Sequence, residues 1–231
     1  MQTVIKIKDL CKKYNKRYVL KDINLEVEKG VITGVLGQNG SGKSTLMKII
    51  SGIEKPDTGE ILINGAKPGV STKSQVAFLT ENNHLYDWMG IKDAIKFYQD
   101  FYEDFDAKKC GKLMDFMELS EDFKIKKLSK GMLQRLRLSL TLGRNASVYL
   151  LDEPFMGIDT TTRDKIIKAI NSYYCEDSCV LITTHLIGEV ERILDKVAFI
   201  SEGSIALTGD CEQLRFEKKQ SIEDIFRNLY V

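Results

Sequence analysis

Residues 37–45, GQNGSGKST, combine three glycines, a lysine and three hydroxyls in one short run. The spacing is G-x-x-x-x-G-K-S, with Gly37, Gly42, Lys43 and Ser44 at the defining positions. An apolar run, VITGVL, comes before it and a helix-compatible segment, TLMKII, follows. That strand–loop–helix context is what a phosphate-cradling loop requires. Glycines let backbone N–H groups turn inward toward phosphate oxygens. The helix N-terminus adds partial positive charge. Lys43 is expected to bridge β- and γ-phosphates, and the Ser44 hydroxyl to ligate Mg²⁺, a cation that prefers oxygen. Gln38, Asn39, Gly40, Ser41 and Thr45 complete the expected nucleotide contacts.

A second constellation, VYLLDEP at 148–154, ends an apolar strand on two adjacent carboxylates. Ligands of open α/β sheets bind at that edge. Neighbouring strand residues point to opposite faces, so Asp152 and Glu153 need not share a role. Asp152 suits the Mg²⁺ shell through water. Glu153, just past the strand, suits a base or orienter for an attacking water. The alternative is a polar strand end that caps a turn before Pro154. A third carboxylate, Glu81, ends the run FLTENN.

These groups need a scaffold. The chain has 231 residues and is 43% hydrophobic, enough for one large domain or a core with an inserted subdomain. The net charge is +1, so no nucleic-acid partner is expected. The five cysteines (11, 110, 175, 179, 211) form no CxxC pair. Cys175 and Cys179 lack a partner pair of His or Cys nearby, and reduced, mostly structural thiols are the expectation. MQTVIKIKDL alternates charged and apolar residues, unlike a signal peptide. No apolar run approaches the roughly 18 residues of a membrane span. Any span must come from another subunit.

VIKIKDL (4–10), INLEVE (23–28) and EILIN (60–64) alternate apolar with polar, which predicts a half-exposed antiparallel sheet. The runs at 31–36, 76–79, 148–151, 180–183 and 197–200 are continuously apolar, which predicts strands of a parallel sheet buried on both faces. Helical stretches between them argue for βαβ units. Between 85 and 146 the period becomes helical: Ile91, Ala94, Ile95, Tyr98, Phe101 and Tyr102 share one face. Leu113, Phe116 and Met117 fit a second helix, and Leu133, Leu136 and Leu140 a third. The expected fold is α/β: a P-loop NTPase core with a mainly parallel sheet, an N-terminal antiparallel β-subdomain and an inserted helical subdomain. Within one domain, 1–231, the core occupies 1–84 and 147–231 and the insert 85–146. SIED at 221–224 has a helix-start pattern.

With these motifs in order, the chain resembles the ATP-binding subunit of an ABC transporter. GQNGSGKST resembles the family's Walker A motif and VYLLDEP its Walker B. Leu128-Ser129-Lys130-Gly131-Met132 is similar to the signature LSGGQ, and QRLRLSLTLGR to the signature helix. Gly157-Ile158-Asp159 resembles the D-loop. His185, ending VLITTH, resembles the switch histidine. Tyr14 matches the adenine-stacking aromatic, with Tyr18 as the alternative. The resemblance implies ATP and Mg²⁺ as ligands and Glu153, His185 and Lys43 as catalytic residues. Ser44, Glu81 and Asp152 would serve the metal. Ser129, Lys130, Gly131, Met132 and Asp159 would complete ATP sites across a head-to-tail pair.

The resemblance also implies a homodimer or a paralogous ATPase partner. An integral membrane transporter subunit is expected too, with a cytoplasmic, peripheral location on the membrane. Lys130 and Met132 depart from the signature, and Glu81 stands where most members carry Gln. ENNHLYDWM and SIEDIF resemble a branch that often energises export of antibiotics or peptides. The alternatives are a soluble ABC ATPase with a regulatory, immunity, translation or DNA-linked role, and a P-loop kinase. A kinase has no place for the signature, the D-loop or His185. His84 has no motif around it and is expected at the surface.

Overall fold

The computed structural model describes residues 2–174 and 177–229. Cys175 therefore lies outside the described residues. Cys179 is a free thiol, fully buried in a core strand, as structural use predicts.

Two sheets form. The antiparallel one has order β2-β1-β4, from β1 (Thr3–Tyr14), β2 (Arg17–Glu28) and β4 (Thr58–Ile63). The second has order β5-β6-β7-β3-β8-β9. Its members are β3 (Ile32–Leu36), β5 (Val76–Leu79), β6 (Val148–Asp152), β7 (Cys179–Thr184), β8 (Lys196–Ser201) and β9 (Ser204–Asp210). Its pairings are parallel except that of β8 with β9. The five continuously apolar runs are its parallel strands, and the three alternating runs make the antiparallel sheet.

The apolar runs lack alternation because the parallel strands that they form are covered on both faces. Tyr149, Leu151, Val180, Ile182, Val197 and Phe199 enter one core with the helices of the insert. Their neighbours Leu150, Leu181, Ala198 and Ile200 enter another. That second core holds the apolar face of α1 (Lys43–Ile50) and the inner face of the antiparallel sheet. The phosphate-loop helix is thus clamped between two sheets.

A short helix, α2 (Val70–Lys73), leads into β5. Between β5 and β6 lie α3 (Ile91–Phe101), α4 (Ala107–Phe116) and α5 (Lys130–Leu142). The apolar stripe of α3 is buried at Ile91, Ala94 and Tyr98, but Phe101 is 69% exposed. The helix ends there, and Phe101 stacks on Phe97 with centroids 4.5 Å apart instead of entering the core. Further along are α6 (Thr160–Tyr173), α7 (Ile187–Val190), α8 (Cys211–Lys218) and α9 (Ile222–Leu229). Ser221 caps α9, its Oγ accepting from the Asp224 N–H at 3.0 Å. No helix among the described residues is long and apolar enough to cross a membrane.

Candidate functional site

The strand order β5-β6-β7-β3 brings four chain segments side by side at the strands' C-terminal ends. In that order they carry Glu81, the Asp152-Glu153 pair, His185, and the 37–45 loop. Sequence order would not suggest this; parallel crossovers achieve it.

A cavity of about 360 Å³ opens there. Its lining includes Asn39, Gly40, Lys43, Ser44, Thr45, Glu81, Glu153 and His185. The loop follows β3 and turns into α1. Gly42 has φ +105°, and a Cβ there would lie 2.6 Å from the Val19 carbonyl oxygen. Only glycine fits both the backbone angle and the close approach to β2. Gly37 is similarly crowded by the Ile200 carbonyl oxygen, 2.4 Å from a would-be Cβ. Ser41 is buried, and its Oγ makes no hydrogen bond. Gln38 is exposed at the outer rim.

Lys43 is 5% exposed. Its Nζ donates to the carbonyl oxygens of Gly37 (2.9 Å) and Gln38 (3.1 Å) and lies 3.7 Å from Glu153 Oε1. Burial pushes its pKa below the ordinary lysine value, opposed by the charges of Glu153, Asp152 and Glu81. An anion entering the cavity would relieve that burial cost.

Asp152 ends β6 and is buried. Its Oδ1 accepts from Ser44 Oγ at 3.1 Å and from Thr183 Oγ1 at 2.5 Å. Glu153 has φ +47°, a left-handed backbone that a non-glycine residue adopts at a cost. Its N–H donates to both the carbonyl and the hydroxyl oxygen of Thr183, each at 3.1 Å. Those bonds hold the turn that swings the carboxylate into the cavity. His185 Nδ1 donates to Glu153 Oε1 at 3.0 Å. Glu153 Oε2 is buried without a hydrogen-bond partner. One oxygen is therefore fixed and the other left to bind something small. Thr183 was not evident from sequence; its only signal is a hydroxyl at the end of an otherwise apolar strand.

Tyr14 and Tyr18 flank the two-residue turn Asn15-Lys16, both with positive φ. Tyr14 pairs with Arg17 and Tyr18 with Lys13, so the rings lie on opposite faces of the hairpin. The Tyr14 hydroxyl meets Glu54 and the Thr45 side chain, beside the loop's end. Tyr18 instead carries the Lys13 ammonium 4.2 Å from its ring centroid.

Ser129, Lys130, Gly131 and Met132 are not among the residues lining this cavity. They form the start of α5. Ser129 Oγ accepts from the Met132 N–H at 3.2 Å, which leaves the hydroxyl proton to donate elsewhere. Asp159 caps α6 by accepting from the N–H and hydroxyl of Thr162 at 2.9 and 2.8 Å. The backbone bond from Thr162 holds its carboxyl below the usual range. Thr162 Oγ1 also lies 3.3 Å from the position of a Cβ on Gly131, so these two segments adjoin within one chain. His84, though exposed, bonds the Tyr98 hydroxyl at 2.9 Å.

Comparison with known proteins gives a consistent result. A family described as "ABC transporter" matches residues 20–156. The ABC transporter ATP-binding protein YtrB of Bacillus subtilis is 33% identical over 217 residues, covering 93% of this chain and 74% of YtrB. The lantibiotic transport ATP-binding protein SrtF of Streptococcus pyogenes is 29% identical over 227 residues, covering 97% of this chain and 96% of SrtF. A solved ATP-binding subunit of an ABC transporter superposes with TM-score 0.90 at 25% identity, covering 99% of this chain and 100% of that one.

The Lys43 geometry yields a two-part expectation. ATP raises the Tm of the wild-type protein through mass action, and Lys43→Met removes most of that rise. Without nucleotide, a folded pKa below the unfolded one means the unfolded chain binds more protons. The wild type therefore gains stability relative to Lys43→Met as pH climbs toward 10.5. Calorimetry across that range checks both parts, and parallel pH curves would contradict the second.

Proposed function

The chain belongs to the ABC transporter family as an ATP-hydrolysing subunit, and on that premise we propose that it powers export by closing on ATP as a dimer. The partner is a second copy or a paralogue. The transport path belongs to separate membrane subunits, which place the ATPase at the cytoplasmic face of the membrane.

The observation that carries the catalytic reading is Glu153. It lines the cavity with Oε1 held by His185 and Oε2 buried and unpartnered. That free oxygen accepts the proton of a water attacking the γ-phosphorus. Lys43 leaves the Gly37 and Gln38 carbonyls for phosphate oxygens and stabilises their charge as it shifts. The loop amides and the α1 N-terminus hold the remaining phosphates. Tyr14 stacks on the adenine.

The residues fit Mg²⁺. The groups on offer are oxygens: Ser44 Oγ and Asp152 Oδ1, 3.1 Å apart, and the carboxylate of Glu81, a residue that lines the same cavity as Ser44. Among the described residues, no His, Cys, Asp or Glu cluster forms a metal cage by itself. That suits a cation that keeps waters and phosphate oxygens in its shell. When bound, Mg²⁺ would neutralise charge on the phosphates.

The signature segment lies outside this chain's own cavity, so each chain supplies half of two sites. Ser129 donates its unused proton, and Lys130 its charge, to the γ-phosphate held by the other subunit. A twofold, head-to-tail pair satisfies both halves at once. Asp159, next to Gly131, lies at the same contact.

The membrane subunit docks beside β5. A groove of about 330 Å³ there is lined by Ile53, Phe78, His84, Tyr98 and Tyr102, among others. Tyr86 and Trp88, stacked on each other and both exposed, stand in the loop leading into α3.

Two experiments test this. Glu153→Gln retains ATP affinity, loses turnover by about a hundredfold or more, and elutes as a dimer with ATP and Mg²⁺. A monomer despite tight nucleotide binding contradicts the dimer mechanism. Affinity purification from native membranes recovers a multi-span protein with this chain. Recovery on ribosomes or DNA alone contradicts the transport reading.

A further inference from the structure

β5 is the edge strand of the large sheet, yet one row of its carbonyls is not left to water. Val148 N–H takes the Gln75 carbonyl at 3.0 Å, so the carbonyls of Ser74 and Val76 face away from β6. The Arg144 guanidinium covers them, with Nη2 donating to Ser74 O at 2.8 Å and Nη1 to Val76 O at 2.6 Å. Its Nε pairs with Asp104 at 3.0 Å. This first clamp carries a compensated charge.

A second guanidinium grips the chain where β5 ends. Arg137, on α5, donates from Nη2 to the carbonyls of Thr80 and Asn82, the latter at 2.7 Å, and from Nη1 to Glu81 O at 3.3 Å. The backbone around Glu81 is therefore wrapped on one side chain. Arg137 is 4% exposed, and its hydrogen-bond partners are neutral oxygens. Its Nε is buried without a partner, and desolvation lowers its pKa. A buried, unpaired cation costs stability that a leucine would not. Packing alone does not account for it.

Arg137 also joins a second contact. Its Nη1 donates to Gln134 Oε1 at 3.1 Å, and Gln134 Nε2 donates to Pro154 O at 2.9 Å. Pro154 directly follows the strained Glu153. One rigid helix thus carries Ser129 at its start, touches the turn behind Glu153 through Gln134, and holds the Glu81 loop through Arg137.

We propose that Arg137 is a positioning residue. Through Gln134 it sets the spacing between Glu81 and Glu153, and it transmits movement of α5 to both. Arg137 is not among the residues that line the cavity; it acts through the backbone it holds. A lysine has no planar fork, so it cannot span the three carbonyls and the Gln134 amide together. The proposal rests on the assignment of Glu153, whose own failure would show separately as full turnover in Glu153→Gln.

The test compares purified full-length variants by kcat, ATP Kd, Mg²⁺ dependence and Tm. Arg137→Met is expected to lower kcat about tenfold to a hundredfold, the scale of a small misplacement of reacting groups. Its ATP Kd stays within about threefold, because the phosphate loop is untouched. Arg137→Lys recovers part of kcat, and the Mg²⁺ optimum shifts in both variants. Arg144→Met, which opens the same strand edge but has no link to Pro154, lowers Tm while kcat stays within about twofold. If Arg137→Met does not fold, Gln134→Met carries the comparison, with the same loss of kcat expected. Wild-type kcat in every folded Arg137 or Gln134 variant overturns the proposal. So does a kcat loss in Arg144→Met equal to that in Arg137→Met.

Discussion

Lys43 lies 3.7 Å from Glu153, and both are almost wholly removed from water. Removing one partner of such a pair strands the other's charge, and the pair itself repays its desolvation poorly. The surroundings reflect this. Two loop carbonyls hold the ammonium, His185 holds one carboxylate oxygen, and Thr183 ties down the backbone between Asp152 and Glu153. Gly42 brings the loop close to β2, and Gly37 brings it close to β8. The parallel sheet places all of these groups at one edge. A polyanion that takes over the lysine would leave the carboxylate free for other work.

That pair is complete within one chain; in the proposed dimer the whole site is not. Ser129, whose hydroxyl proton remains available, and exposed Lys130 stand at the start of α5, outside the cavity. The same helix reaches back through Gln134 and Arg137 to the two acidic segments. A contact made at Ser129 by another subunit therefore has a short, hydrogen-bonded route to Glu153 and Glu81. Polar contacts of fixed geometry suit such a route better than apolar packing, which tolerates sliding.

Much of this was legible in the sequence because the signals were local. The 37–45 spacing, the acids after VYLL and the switch from period 2 to helical period each need only a short window. The face that Tyr14 occupies was not legible, since it depends on the register across Asn15-Lys16. Phe101 fits the apolar stripe of α3 but falls where the helix runs out of cover. Arg137 was hidden most fully: in QRLRLSL an arginine reads as part of a solvated face, and only the packing of α5 against the edge of β5 buries it. Thr183 likewise reads as an ordinary strand end until β6 and β7 pair.

In the proposed dimer one copy's phosphate loop works with another copy's α5 start. Mixing two inactive variants tests it most directly. Lys43→Ala disables the loop. Ser129→Asp keeps a side-chain acceptor for the Met132 N–H at the start of α5 but sets there a carboxylate that repels phosphate. Neither alone should hydrolyse ATP appreciably. If sites form between chains, random pairing gives half heterodimers, each with one intact site, and an equal mixture recovers about a quarter of wild-type ATPase. If each chain hydrolyses alone, the mixture is no more active than the sum of its parts, which contradicts a site shared between chains.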